Sequence, residues 1–109
     1  MASEVLKIAT FRGDADNVQA LLTAGGGTTC TVLSVTICET GNAAETFDLL
    51  VDHGGGGDDT YIYYNQALGA KETFEHTGRI VLEAASHLSI QTADTSDIDV
   101  VVSYLEQTL

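Results

Sequence analysis

The sequence predicts an all-β protein: a single antiparallel β-sandwich (jelly-roll or Ig-like) of about eight strands, with an extended N-terminal segment. Three observations carry that reading. In residues 29–38, Leu33, Val35 and Ile37 stand at every second position with Ser34 and Thr36 between them. That is the period of a strand with one buried and one polar face. After a Gly41-Asn42 turn pair, Phe47, Leu49 and Val51 alternate with Thr46, Asp48 and Asp52 in the same way. Such runs then recur at ~8–12-residue spacing with turn residues between them, as in a sandwich or barrel.

Taken in order, residues 4–11 form a short apolar segment, a strand or an extended arm. The polar stretch Arg12-Gly13-Asp14-Ala15-Asp16-Asn17 is a turn by composition. Residues 18–22 resume a strand, which Gly25-Gly26-Gly27 ends. The two alternating strands follow, and Thr, Val and Ile suit them because branching at Cβ is cheap in a pleated chain and costly in a helix. Four glycines in residues 54–57 make a loop. Tyr61-Ile62-Tyr63-Tyr64 has strand composition, residues 68–71 turn the chain into residues 72–77, and Ile80-Val81-Leu82 is a short apolar strand. Residues 83–86 are the one stretch compatible with a helical turn. Leu88, Ile90 and Thr92 alternate with Ser89 and Gln91, acidic residues 94–97 turn the chain, and residues 98–105 close the fold. The expected core is Leu33, Val35, Ile37, Phe47, Leu49, Val51, Leu88, Ile90, Val100 and Val102. The organisation is an N-terminal strand or arm, residues 1–20, and a β-sandwich domain, residues 21–109.

Composition narrows the function. At 109 residues the chain is one domain, large enough to bury a core without metal or disulfide staples. No apolar run reaches the ~20 residues of a membrane span, and residues 1–10 lack the apolar centre of a secretory leader. Sixteen acids face four bases, Lys7, Arg12, Lys71 and Arg79, for a formal net charge of −12. Binding DNA, RNA or an anionic membrane requires a basic footprint, and this chain has none. Cys30 and Cys38, at the two ends of one predicted strand, stand ~26 Å apart at ~3.3 Å per residue. A disulfide needs Cα atoms within ~7 Å, so both are expected to be free thiols, as in a cytosolic protein.

Motifs that would carry chemistry fail on their own terms. Gly25-Gly26-Gly27-Thr28 lacks the lysine and following helix of a phosphate loop. Arg12-Gly13-Asp14 spells an adhesion tripeptide, yet Gly-Asp is an ordinary turn pair. Asp14-Ala15-Asp16-Asn17 starts like a calcium loop but has no glycine at the sixth position and no glutamate at the twelfth. Asp94, Asp97 and Asp99 are weak cation candidates, since hard cations want converging oxygens. His53, His76 and His87 lie on separate elements, and no nucleophile elbow exists. No catalytic residue, cofactor or resident metal is expected. Tyr61, Tyr63 and Tyr64 suit either a core edge or a contact surface. Strict alternation would put Tyr61 and Tyr63 on one face and Tyr64 on the other.

One resemblance is carried by the order of these features. A Thr23-Ala24-Gly25-Gly26-Gly27-Thr28 turn leads into a strand ending at Cys38, followed by Glu39-Thr40-Gly41-Asn42. Then come Thr46-Phe47-Asp48-Leu49-Leu50-Val51, Tyr61-Ile62-Tyr63-Tyr64, an alanine-containing turn to Glu72-Thr73, Gly78 to Leu82, and a strand before a Ser/Thr-rich loop. This order resembles the small β-sandwich virion structural proteins of tailed bacteriophages, of the capsid decoration (cement) or neck and tail adaptor type. The family's usual turn proline and lysine are absent here, and residues before Leu21 have no counterpart. The resemblance implies a non-enzymatic virion protein, assembled in the host cytoplasm, whose partners are itself, as a homotrimer, and the major capsid protein. Neck or tail proteins are the alternative partners. A lectin-like ligand-binding sandwich is a further reading, resting on residues 61–65 alone. Interface candidates are Lys7, Phe11, Arg12, Tyr61, Tyr63 and Tyr64.

Overall fold

A computed structural model describes residues 3–53, 59–93 and 97–108, and these contain nine strands and no helix. In chain order they are β1 (Ser3–Gly13), β2 (Gln19–Thr23), β3 (Thr28–Glu39), β4 (Glu45–Asp52), β5 (Thr60–Leu68), β6 (Thr73–His76), β7 (Ile80–Leu82), β8 (His87–Thr92) and β9 (Ile98–Thr108). One sheet runs β1-β9-β3-β6, with β7 also on β3, and the other runs β2-β8-β4-β5. Every pairing is antiparallel. β7 pairs with Cys30–Val32 and β6 with Val35–Cys38, so two short strands share one position beside β3. Nine strands therefore fill eight positions. Among consecutive strands only β4 and β5 form a hairpin within one sheet, the wrapped order of a jelly roll rather than an Ig-like sandwich.

The expected core lies between the sheets. Val35, Ile37, Leu49, Leu88 and Ile90 are fully buried, as are Phe47, Val100 and Val102 to within one per cent, and Val51 is buried too. Leu33 is the exception. The β3–β9 register shifts between Val32 and Ser34, so an extra residue sits on β3 at that point. A β-bulge of this kind resets which face each later residue meets. Cys30 and Val32 point inward before it, Val35 and Ile37 after it, and half-buried Leu33 is turned to the outer face. Unbroken alternation back from Val35 selected Leu33, where the bulge selects Val32.

Two local expectations resolve in the same physical terms. Residues 83–86 form a turn closed by Ser86 N–H donating to the Glu83 carbonyl at 2.9 Å. Ala85 sits at φ +72°, which no right-handed helix contains. Ahead of β3, Thr28 closes its turn on the Gly25 carbonyl through both N–H (3.1 Å) and Oγ1 (2.7 Å). Gly27 makes that turn at φ +73°, a conformation costly for any residue with a Cβ.

Candidate interaction surface

The N-terminal segment is part of the sandwich. β1 pairs with β9 along its whole length, from Ser3 opposite Thr108 to Gly13 opposite Ile98. Its inward side chains include Phe11, which packs against the core, so this interface candidate is claimed by the interior. Lys7 also lies on the inner side and donates to Glu106 Oε1 at 3.0 Å, an ion pair within the chain. The hydrogen bond to Glu106, then its charge, holds the Lys7 ammonium above its ordinary pKa. Arg12 stays in solvent, its side chain 88% exposed and 3.8 Å from Asp99.

β1 is an edge strand among the described residues, with β9 on one side and no strand on the other. At its middle the outward side chains are apolar, Leu6 being 73% and Ile8 64% exposed, with Glu4 and Arg12 towards its ends. They continue onto the outer face of the same sheet through Leu33, turned outward by the bulge, and through Leu105 and Val101 of β9. A shallow hollow lined by Leu6, Lys7, Ile8, Leu33, Ser103 and Tyr104 lies where β1 and β3 flank β9.

The tyrosines divide differently from the expectation. Tyr63 packs edge-on against Phe74, with ring centroids 4.9 Å apart, and its hydroxyl lies 2.8 Å from His76 Nδ1. Phe47 completes that aromatic cluster. Tyr61 and Tyr64 are exposed and stack edge-on against one another at 4.9 Å. The β4–β5 register shifts twice: Tyr61 and Tyr63 face neighbouring residues Leu50 and Leu49, leaving Ile62 extra. That irregularity returns Tyr61 to the side of Tyr64, so the outward tyrosines are Tyr61 and Tyr64.

The acids gather less than the sequence suggested. Asp97 and Asp99 line a small hollow with Arg12, Gly13 and Thr40, where the guanidinium offsets their charge. Asp94 lies outside the described residues. No cluster of three metal-ligating side chains forms among the described residues. His76 is engaged by Tyr63, and His87 Nδ1 lies 2.7 Å from Thr23 Oγ1.

The residue that sequence reasoning missed is Glu39. Its side chain is buried, yet no cation among the described residues pairs with it. Its carboxylate instead accepts backbone N–H groups from Gly41 (2.8 Å), Asn42 (2.9 Å) and Lys71 (3.0 Å). Asn42 and Lys71 adopt positive φ, which aims their amides at the acid. These bonds, that from Lys71 foremost, hold the Glu39 carboxyl below its ordinary pKa. The carboxylate thus ties the β3–β4 turn to the β5–β6 turn. The only signal in the sequence was an acid two residues before a Gly-Asn turn.

Against known proteins, no family profile matches this chain, and no curated protein does. Solved structures do. A chain from the acidic stable capsid structure of Helicobacter pylori bacteriophage KHP30 superposes with a TM-score of 0.59 at 17% identity, covering 97% of this chain and 92% of that one. The likeness is one of fold. A chain of the Bacillus endospore appendages, described as disulfide-linked pili, gives a TM-score of 0.55 at 7% identity over 99% of this chain and 88% of that one. Infectious bursal disease virus, Gx strain, gives 0.55 at 11% identity, and there the match spans 98% of this chain but only 32% of the viral one. The same sandwich therefore occurs both as nearly a whole chain and as one part of a longer one.

Proposed function

We propose that this protein is a non-enzymatic structural component of a phage virion, a decoration protein that binds the outside of the head and stabilises it. The observation that carries the reading is the end-to-end likeness to a phage capsid chain, 97% of one covered by 92% of the other. A compact sandwich of that size suits a part added to a particle. The charge supports an outer position: at −12 the chain would meet like-charged phosphate inside a filled head, whereas outside it faces solvent and counter-ions. The described residues offer no arrangement of nucleophile, base and oxyanion donors, and contact with neighbours needs none. Partners in this reading are the major capsid protein and further copies of the chain. Assembly takes place in the host cytoplasm, where Cys30 and Cys38 remain thiols.

Quantitative mass spectrometry of purified virions tests the reading. A copy number of the order of the major capsid protein supports decoration. A ratio of a few per cent instead assigns the protein to the neck or tail, and absence from the particle rejects a virion role.

A further inference from the structure

We propose that β1 is where two copies of this chain join, pairing antiparallel about a two-fold axis at Ile8 so that their larger sheets become one. The starting point is an edge with unusual exposure. β1 presents eleven residues, ~36 Å of backbone at ~3.3 Å each, and its far side is unpaired among the described residues. Proteins normally blunt such an edge with proline, an inward charge, a bulge or brevity. The chain contains no proline. β1 pairs with β9 without a register shift, and its one inward charge, Lys7, is already paired with Glu106 of the same chain. Val5, Leu6 and Ile8 meanwhile stand 46%, 73% and 64% exposed.

The second observation identifies the occupant as another copy of β1. In an antiparallel pair, opposed residues share a face and the same edge direction. A strand pairing with itself must then have its axis at a residue, since an axis between residues would oppose inward to outward side chains. With the axis at Ile8, Glu4 lies opposite Arg12 of the second copy, and this pairing occurs twice by symmetry. Val5 then faces Phe11, Leu6 faces Thr10, Lys7 faces Ala9, and all eleven residues find a partner. Shifting the axis to Lys7 opposes two lysines and removes Arg12 from any partner in the strand. Shifting it to Ala9 sets Leu6 against Arg12 and brings Glu4 to Asp14. Only the Ile8 axis sets an acid against a base and uses the strand's whole length. Arg12 is free to take part, being 88% exposed and only loosely placed beside Asp99. The two outer apolar surfaces, each with Leu6, Ile8 and Leu105, then meet across the junction. The contact is isologous and closes at two copies, in contrast to the trimer expected from the sequence.

Sedimentation equilibrium of the full chain should give the mass of two chains, and a monomer or a trimer overturns the proposal. Ile8→Lys, at an exposed position, should give a monomer with unchanged circular dichroism; a variant that stays dimeric overturns it. Glu4→Arg changes the formal charge from −12 to −10. General repulsion would therefore fall and association strengthen, whereas the Ile8 register predicts Kd weakened roughly tenfold. Adding Arg12→Glu should restore it, and no weakening or no rescue refutes the register. In a Cys38→Ser background, Ile8→Cys should form an interchain disulfide under mild oxidation. Leu6→Cys should do so only when mixed with Thr10→Cys, and rapid bridging of Leu6→Cys alone rejects the axis. These measurements concern the free protein, so a dimer that never binds a head would count against the virion reading alone.

Discussion

At the scale of single residues, the stability of this sandwich rests on a few side chains whose surroundings are specified. Phe47 is 1% exposed and meets the rings of Tyr63 and Phe74. Phe47→Ala should cost ~3–5 kcal/mol, the transfer term plus an unfilled cavity, measured by urea denaturation. Leu33→Ala should cost well under the ~2–5 kcal/mol of a core leucine, because the bulge has turned it outward. Glu39 gives the molecule an acid limit. Its folded pKa is lowered by backbone N–H donors, so its contribution is present above the unfolded value of ~4.3. That contribution is lost as pH falls from there through the lowered folded value. Glu39→Gln should therefore be less stable than the parent at pH 7, and the gap should close below pH ~4, read from melting temperatures at each pH. The thiols differ in the same spirit. Burial raises the pKa of Cys30, while Cys38 is half-buried on the other face of β3. Labelling of the native protein should modify Cys38 first, and two thiols per chain should react after denaturation.

At the scale of elements, β1 is the strand whose role changes most once its neighbours are known. Read alone, residues 4–11 fit an arm that a partner orders. Paired with β9 through all eleven residues, β1 covers one flank of Val100, Val102 and Tyr104. Deleting residues 1–12 should therefore unfold the domain rather than yield a folded but detached one, as loss of the cooperative melt would show. Much else at this scale was legible in advance. The alternation at Val35, Ile37, Phe47, Leu49, Leu88 and Ile90 found the buried face directly, because a two-residue period has one physical cause. What stayed hidden were the irregularities. The bulges beside Leu33 and Ile62 leave no mark in composition, and each reverses the facing of residues beyond it, which is why Val32 replaced Leu33 and Tyr61 joined Tyr64. The Glu39 knot joins turns 32 positions apart, a distance over which local pattern is silent.

At the scale of the whole molecule, the two sheets are knit by connections that repeatedly cross from one to the other. β9 is decisive in that arrangement: it follows the other eight described strands in sequence, and it lies between β1 and β3. A chain ending before Ile98 would leave β1 and β3 with nothing to pair between them, and the facing edges of both open. Such a truncation should show no cooperative transition by circular dichroism, even though eight of the nine strands are present.

That placement also governs how the protein is born. On a ribosome, β1 emerges before the other described strands and must wait, extended, until the seven between it and β9 have followed before its neighbour exists. Folding is then a late, single event dominated by contacts remote in sequence, the kind that proceeds in milliseconds to seconds rather than microseconds. During the wait, β1 is an open template for any other β1 nearby, and polysomes hold nascent copies close together. A strand able to pair with its own twin after folding faces the same temptation before it. The spacing between initiation events on the message, and not only the concentration of finished protein, would then influence how much of the product is native.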